Sequence, residues 1–309
     1  MEKLKKRGFF HELAKNKVLY LMFLPIAVYY IVLAYIPMSG SIMAFEEYSN
    51  RGGIWLSPWI GFKNFEYFFL SGKAFQVTLN TVLFNLVFIG CYTFFSLLVA
   101  IFVAEMSSKV FKKASQSLMF LPYFISWVVV SSMVNSFFNY DYGVINQLLE
   151  ALGGTPIDTA SSPDFWIVFL PIAYSWKWVG FGSVLYLAAI TGIDQDIYEA
   201  ATIDGANMFR KIWHITLPGV RPTMVILILL SVGNIMRGEF DMFYNLIGTN
   251  GILIDKTDII DTLVFRSIVG TQDFGMAAAA GLYQSVMCLV IIVVVNTIVK
   301  KAEKDYALF

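Results

Sequence analysis

The stretch EAATIDGANMFRKIWHITLP, Glu199–Pro218, interrupts a strongly apolar chain with acidic, basic and aromatic residues. The 309-residue sequence is 58% hydrophobic and 14% charged, whereas soluble domains contain roughly 45–50% apolar and about 25% charged residues. Aromatic residues make up 17% of the chain, which is typical of proteins that meet membrane interfaces or flat ligands. The composition therefore indicates a polytopic membrane protein, and the quoted stretch is a polar connection between its spans.

Long apolar runs predict six membrane-spanning helices, because crossing a bilayer takes about 20 mostly apolar residues. The predicted spans are Val18–Pro37, Thr78–Ala104, Ser117–Phe138, Phe165–Thr191, Pro222–Met236 and Ala277–Val299. The fifth is short of apolar residues, so we expect one of its ends in polar surroundings. The first is too long for a cleaved signal peptide and has no small-residue cleavage site after it. The predicted fold class is an all-α integral membrane protein with six spans.

The basic residues predict the orientation, because cytoplasmic loops carry an excess of Lys and Arg. Fifteen lie on the side of both termini: Lys3, Lys5, Lys6, Arg7, Lys15, Lys17, Lys109, Lys112, Lys113, Arg210, Lys211, Arg221, Lys300, Lys301 and Lys304. Six lie on the other side: Arg51, Lys63, Lys73, Arg237, Lys256 and Arg266. We therefore expect both termini and the quoted stretch in the cytoplasm. The outer loops are acidic, and those after the first and fifth spans run to roughly 40 residues, which either dock a partner or are simply solvated.

The quoted stretch predicts two short helices that are separated at Gly205. Asp196 is placed to cap the first helix, with Glu199 three residues later. Pro218 and Pro222 are expected to end the second helix and to start the fifth span. Small residues beside a lone carboxylate favour insertion of the first helix into a protein groove. For the aromatic second helix, an interfacial position on the lipid headgroups stays an alternative.

The stretch resembles the signature EAA-x3-G-x9-I-x-LP of bacterial ATP-binding-cassette (ABC) importer permeases at every specified position. Its place between the fourth and fifth spans also agrees with that family. The resemblance implies that this loop docks into a separate ATPase subunit. The residues implied in docking are Glu199, Ala200, Ala201, Asp204 and Gly205 at the tip, with Ile215, Leu217 and Pro218 fixing the second helix against the membrane body.

The resemblance extends over nearly the whole chain, in runs such as LPYFISWVVV, YLAAITGIDQDIYEAATIDGAN, DIIDTLVF and GMAAAAGLYQSV. These look like the polysaccharide and complex-sugar permeases of the lipoprotein-associated (LplB-like) type, a group that includes alginate and pectin-fragment importers. The implied architecture is the type I importer (MetI-like) permease fold. Residues 1–76 would form a cytoplasmic tail, the first helix and an outer loop. Residues 77–302 would form a five-helix core with the coupling loop 194–218, and residues 303–309 a second cytoplasmic tail.

The resemblance also implies the partners and the location of the chain. We expect a multi-pass subunit of the bacterial cytoplasmic membrane that pairs with a second permease, itself a different chain, and with two ABC ATPase subunits. An extracytoplasmic sugar-binding protein would deliver the saccharide. No cofactor is expected on this chain, because ATP and Mg²⁺ would bind the ATPase subunits.

Motifs for catalysis are missing from the sequence. The run SGKAF around Lys73 lacks the first glycine and the hydroxyl of a phosphate-binding loop. His11 and His214 are the only histidines, and Cys91 and Cys288 lie in apolar runs. We therefore expect neither a metal site nor enzymatic activity.

Polar and aromatic side chains in or near the spans are the candidates for a substrate pathway, since polar groups in a bilayer are costly unless they face a partner or a wet cavity. The candidates are Trp176, Lys177, Trp178, Asn135, Asn234, Arg237, Tyr244 and Gln284. Lys177 either lines the pathway, pairs with a carboxylate on a neighbouring helix, or snorkels to the interface. Arg237 either binds an acidic saccharide or, in the interpretation we prefer, pairs with Glu239 or Asp241.

The predicted function is the import of an oligosaccharide or polysaccharide fragment through a pathway of which this chain forms half. The alternative is an ion-coupled secondary carrier, which requires carboxylates at mid-membrane and inverted repeats, and the sequence shows neither. An export or regulatory subunit is a second alternative, in which the outer loops would have no cargo donor.

Overall fold

A computed structural model describes residues 15–303 and 306–308. Within these residues the fold is all-α, as predicted, and extended pairing is limited to one bridge between Glu46 and Trp59. The helices of seven or more residues are α1 Lys17–Phe45, α2 Lys63–Leu70, α3 Lys73–Glu105, α4 Lys109–Phe124, α5 Trp127–Phe138, α6 Val144–Ala151, α7 Pro163–Thr191, α8 Gln195–Ile203, α9 Met208–Gly233, α10 Phe240–Leu246, α11 Gly251–Thr257, α12 Ile260–Val269 and α13 Phe274–Ala302. Lys3, Lys5, Lys6, Arg7, His11 and Lys304, which entered the predictions above, lie outside the described residues.

Five helices in the described part of the chain are long and apolar enough to cross a membrane: α1, α3, α7, α9 and α13. The predicted third span is instead a bent pair, because α4 and α5 meet at an angle of 93°. The expectation of one continuous helix there is wrong. Ile125 has extended backbone angles, and the Ser126 hydroxyl caps the new helix by accepting from the Val129 amide at 3.4 Å. Counted as one element, the bent pair brings the total to six spans.

The fifth span also differs from the prediction. We expected Pro218 and Pro222 to separate it from the second loop helix, but α9 runs from Met208 to Gly233 without a break. A π-helical turn at Ile212–Thr216 precedes Pro218. Such a turn widens the helix, which accommodates a proline ring that would otherwise clash with the preceding turn. The loop and the membrane span are therefore parts of one helix.

The core is built around the long pair α3 and α7. Gly182 on α7 permits this packing, because a Cβ atom there would lie 2.4 Å from the Ser96 Oγ on α3. One apolar cluster joins this pair to α5 and α10, and another joins it to α9 near Val220. A third, around Phe68 and Ile260, packs α2, α12 and α13 together. By contrast, no residue in the most apolar part of α1 is buried against the rest of the protein.

Candidate coupling loop and translocation cavity

The first helix of the loop, α8, is capped by a residue other than the predicted one. The Asp194 carboxylate accepts a hydrogen bond from the Asp196 amide at 3.0 Å. Asp194 has non-helical backbone angles, whereas Asp196 already lies in the first helical turn. The prediction that Asp196 is the cap is therefore wrong by two residues.

Gly205 ends α8 and reverses the chain, as the sequence predicted. Its φ of +75° lies in the left-handed region, which side-chain-bearing residues enter at a cost. The Gly205 amide donates to the Thr202 carbonyl at 3.1 Å, and the Ala206 amide donates to the Ala201 carbonyl at 2.9 Å. This pair of bonds is the Schellman arrangement that closes a helix C-terminus.

Two side-chain contacts tie α8 to the base of α9. The Tyr198 and Thr216 hydroxyls are 2.9 Å apart, and Thr216 is buried. The Lys211 ammonium donates to the Thr202 hydroxyl at 2.7 Å. Tyr198 and Thr216 were not among the predicted loop residues, although Tyr198 directly precedes Glu199 and Thr216 is the unspecified residue in the run I-x-L-P. Because of these contacts, α8 and the base of α9 form one hairpin.

The tip of this hairpin is exposed and combines carboxylates with large apolar residues. Glu199, Ala200, Asp204 and Gly205 are exposed, Ala201, Ile215 and Leu217 are half-buried, and Pro218 is exposed. Ile203, which was not among the predicted docking residues, is 87% exposed, and Phe209 is 72% exposed. Leu217 packs on the cluster around Val220. Exposed apolar side chains at this tip are available to a covering protein or, for the aromatic second helix, to the lipid headgroups.

A cavity of about 300 Å³ lies between α3, α7 and the end of α9. Its lining residues are Asn85, Phe88, Ile89, Tyr92, Tyr174, Trp178, Phe181, Ser231, Asn234, Arg237, Gly238 and Glu239. Tyr174, Trp178 and Phe181 recur at helical spacing on α7, so their rings share one wall. Three predicted pathway residues, namely Trp178, Asn234 and Arg237, thus meet here.

A larger groove of about 600 Å³ holds Trp176, away from the polar cavity. Its other lining residues are mostly apolar and include Cys91, Phe95 and Ile172. A groove with this lining offers few partners for sugar hydroxyls, and we therefore place the candidate pathway at the smaller cavity.

Arg237 makes no ion pair with either carboxylate that the sequence suggested. Among the described residues, no Asp or Glu oxygen lies within 4 Å of its guanidinium, and the residue is exposed. Glu239 instead accepts a hydrogen bond from the Trp127 indole Nε1 at 3.1 Å. Burial raises the pKa of the Glu239 carboxyl, and the indole bond acts in the opposite direction. The preferred interpretation of Arg237 is therefore wrong.

Lys177 neither lines the cavity nor reaches the interface. It is 6% exposed, and its ammonium donates to the backbone carbonyls of Tyr123 at 3.1 Å and of Ile125. The face of the Trp127 ring lies 5.3 Å from the Nζ atom. The structure thus contradicts the snorkelling interpretation and, within the described residues, direct pairing with a carboxylate.

The three remaining candidates lie outside the cavity. Gln284 is buried and donates to the Met236 carbonyl at 2.7 Å and to the Asp261 carboxylate at 3.0 Å, so it holds the turn that follows α9. Tyr244 stacks on Phe240, and Asn135 is exposed on α5. Among the residues that the structure describes, no group of three His, Cys, Asp or Glu side chains is placed to hold a metal ion.

Comparison with known proteins agrees with this geometry. Residues 96–304 match the family of binding-protein-dependent transport system inner membrane components. Protein LplB of Bacillus subtilis is 34% identical over 95% of this chain and 92% of its own length. The polygalacturonan/rhamnogalacturonan transport system permease protein YteP of the same organism is 31% identical over 98% and 94%. A chain of a bacterial alginate ABC transporter, solved in complex with an alginate pentasaccharide-bound periplasmic protein, superposes with a TM-score of 0.86 at 28% identity and covers 96% of this chain and 99% of that one.

Proposed function

This chain belongs to the family of binding-protein-dependent transport system inner membrane components, and from that premise we propose that it forms half of the pathway through which an ABC importer moves an acidic oligosaccharide. It is a membrane-integral permease subunit of the sugar-importing class. In the proposed assembly it pairs with a second permease chain and with two ATPase subunits. A binding protein outside the membrane delivers the saccharide, and both termini lie in the cytoplasm.

The observation that carries the proposal is the continuity of α9 from the loop to the cavity. The helix begins at Met208 in the hairpin and ends at Gly233, directly before Asn234 in the cavity wall. Its 26 residues span about 39 Å at about 1.5 Å per residue. A displacement of the hairpin by an ATPase is therefore transmitted along one helix to the lining of the cavity. This is the bistable, rigid-element movement that alternating access requires.

The chemistry of the cavity wall supports an acidic saccharide as the cargo. Within the described residues the Arg237 guanidinium makes no ion pair within 4 Å, and its geometry matches bidentate binding of a uronate carboxylate. The rings of Tyr174 and Trp178 provide flat surfaces for the apolar faces of sugar rings. At about 300 Å³, the cavity stands at the lower limit of ligand pockets. Passage of an oligosaccharide therefore requires α3, α7 and α9 to move apart.

The test compares two cargoes in proteoliposomes that contain the full transporter and its binding protein. For wild type we expect ATP-dependent uptake of a galacturonate trisaccharide. The substitution Arg237→Gln should reduce that uptake at least about tenfold, the effect of losing one charged hydrogen-bonded contact, and should leave any maltotriose uptake unchanged. Equal loss of both cargoes would contradict the role of Arg237 in charge recognition.

A further inference from the structure

The bend between α4 and α5 is held by a residue that lies more than fifty positions away in sequence. The last carbonyl oxygens of a helix have no partner within it, and they form the negative end of the helix dipole. At the end of α4 the Lys177 ammonium of α7 lies 3.1 Å from the Tyr123 carbonyl and 3.4 Å from the Pro122 carbonyl, which also accepts from the Ile125 amide at 3.1 Å. It also contacts the carbonyl of Ile125, at the bend itself. The ammonium thus replaces the helical turn that α4 lacks.

Gly180, about one turn after Lys177, brings the two helices close enough for this contact. A Cβ atom at this position would lie 1.9 Å from the Met119 carbonyl oxygen. Backbone cannot yield as a flexible side chain would, so only glycine fits between α7 and α4. Lys177 and Gly180 together fix the end of α4 against α7.

The same ammonium is connected to the cavity through one indole ring. Trp127 is 5% exposed; the centroid of its ring lies 5.3 Å from the Lys177 Nζ atom, within the range of cation–π attraction. Its Nε1 donates to Glu239 Oε1 at 3.1 Å, and Glu239 lines the cavity. Since a buried charge without compensation is costly, the indole joins the cation to the carboxylate that balances it.

We propose that Lys177, Trp127 and Glu239 form an indole-bridged ion pair that holds the α4–α5 bend and the cavity carboxylate as one unit. Lys177 and Trp127 are positioning residues in this arrangement. A saccharide hydroxyl that donates to Glu239 draws the carboxylate into the cavity and away from the indole N–H, so that occupancy of the cavity loosens the bend. This last step, which assigns the bend a role in sensing cargo, rests on the proposed function, whereas the bridge itself does not.

Hydrogen–deuterium exchange of the detergent-purified transporter tests the bridge without any cargo. The measured quantity is the exchange rate of amides in residues 119–130. Trp127→Phe retains the ring face but removes the N–H donor, and Trp166→Phe is the matched control, since Trp166 is equally buried and its Nε1 donates to the Thr159 carbonyl at 2.8 Å, away from the cavity. We expect Trp127→Phe to raise exchange about tenfold, the factor for loss of one hydrogen bond to a charged group. Equal exchange in the two variants would overturn the bridge.

Variants of the other two members separate positioning from general packing. Lys177→Met should raise the exchange of residues 119–130 as Trp127→Phe does, while Lys177→Arg, which keeps the charge and donors, should restore slow exchange. Glu239→Gln should raise exchange in the wild-type background but add nothing to Trp127→Phe. Additive effects of the last two substitutions would show that Glu239 acts independently of the indole.

Galacturonate trisaccharide, added at saturating concentration, tests cargo sensing. It should raise exchange at residues 119–130 in wild type and change nothing further in Trp127→Phe. Unchanged exchange in a wild-type transporter that imports the trisaccharide would overturn cargo sensing and leave the proposed function intact. A wild-type transporter that imports no saccharide would instead contradict the proposed function, and the cargo-free exchange data would still decide on the bridge.

Discussion

Replacing Gly205 with aspartate should release the ATPase while leaving the permease folded. Gly205 has a φ of +75° with nothing within 4 Å of the position a Cβ atom would take. The substitution therefore adds backbone strain and a carboxylate, but no steric clash within this chain. Gly72, in the turn before α3, has a φ of +72° and the same open surroundings. Gly72→Asp is thus a control that carries the same strain and charge away from the loop.

The expected free-energy cost of Gly205→Asp is small for folding of the permease and large for docking of the ATPase. A left-handed conformation costs a non-glycine residue about 1–2 kcal/mol, and less for aspartate, which adopts it more readily. Both variants should therefore accumulate in the membrane to similar levels. Burying an uncompensated carboxylate in a protein groove costs about 3–5 kcal/mol. That corresponds to at least about a hundredfold weaker binding of the ATPase.

Co-purification from solubilised membranes measures this difference. The tagged permease is isolated as wild type, Gly205→Asp, Gly205→Ala and Gly72→Asp, and the molar ratio of ATPase to permease is determined by quantitative mass spectrometry. We expect Gly205→Asp alone to lose the ATPase, because Gly205→Ala adds no charge. Retention of the ATPase by Gly205→Asp, or its equal loss in Gly72→Asp, would refute the docking role of this tip.

Three further predictions concern Glu199, the Tyr198–Thr216 pair and Gly180. Glu199→Lys reverses the charge of an exposed loop carboxylate and should abolish uptake without lowering the amount of permease in the membrane, as an immunoblot beside a transport assay would show. Tyr198→Phe leaves the buried Thr216 hydroxyl without its partner, at a cost of about 1–3 kcal/mol, and should lower uptake per ATP hydrolysed. Adding Thr216→Val to Tyr198→Phe should recover part of the lost uptake. No recovery in the double variant would argue against the hydroxyl pair. Gly180→Ala forces a Cβ atom against backbone and should prevent accumulation of folded permease, whereas Gly90→Ala, with nothing within 4 Å, should be neutral in a thermal-stability measurement.

The coupling loop was largely predictable because its determinants are local. The glycine that reverses the chain, the two helices and the motif spacing all lie within twenty-five residues. The two wrong predictions for this loop, the helix cap and the helix break, also concern local backbone geometry. Asp194 and Asp196 both had cap chemistry, and only backbone angles distinguish them. A proline predicts a helix break, but the π-helical turn before Pro218 makes room for the proline ring and the helix continues.

The bend and the cavity were less predictable because residues far apart in sequence create them. The run that ends α4 and begins α5 is apolar enough to read as one span, and the break is stabilised from α7 by Lys177. Three of the predicted pathway residues, Trp178, Asn234 and Arg237, do meet in the cavity. Trp178 shares a wall there with other aromatic rings of α7, because these residues recur at helical spacing. The partner of Glu239 was not foreseen, because the indole of Trp127 lies 112 positions away from it in the chain.

Uptake into proteoliposomes tests most directly whether this chain forms half of the pathway of an ATP-driven saccharide importer. The purified transporter is reconstituted with ATP on the side of the hairpin and with the binding protein and galacturonate trisaccharide on the other. We predict uptake that requires both ATP and the binding protein and that persists when ionophores collapse the ion gradients. Uptake that proceeds without ATP and stops with the ionophores would contradict the account and identify an ion-coupled carrier.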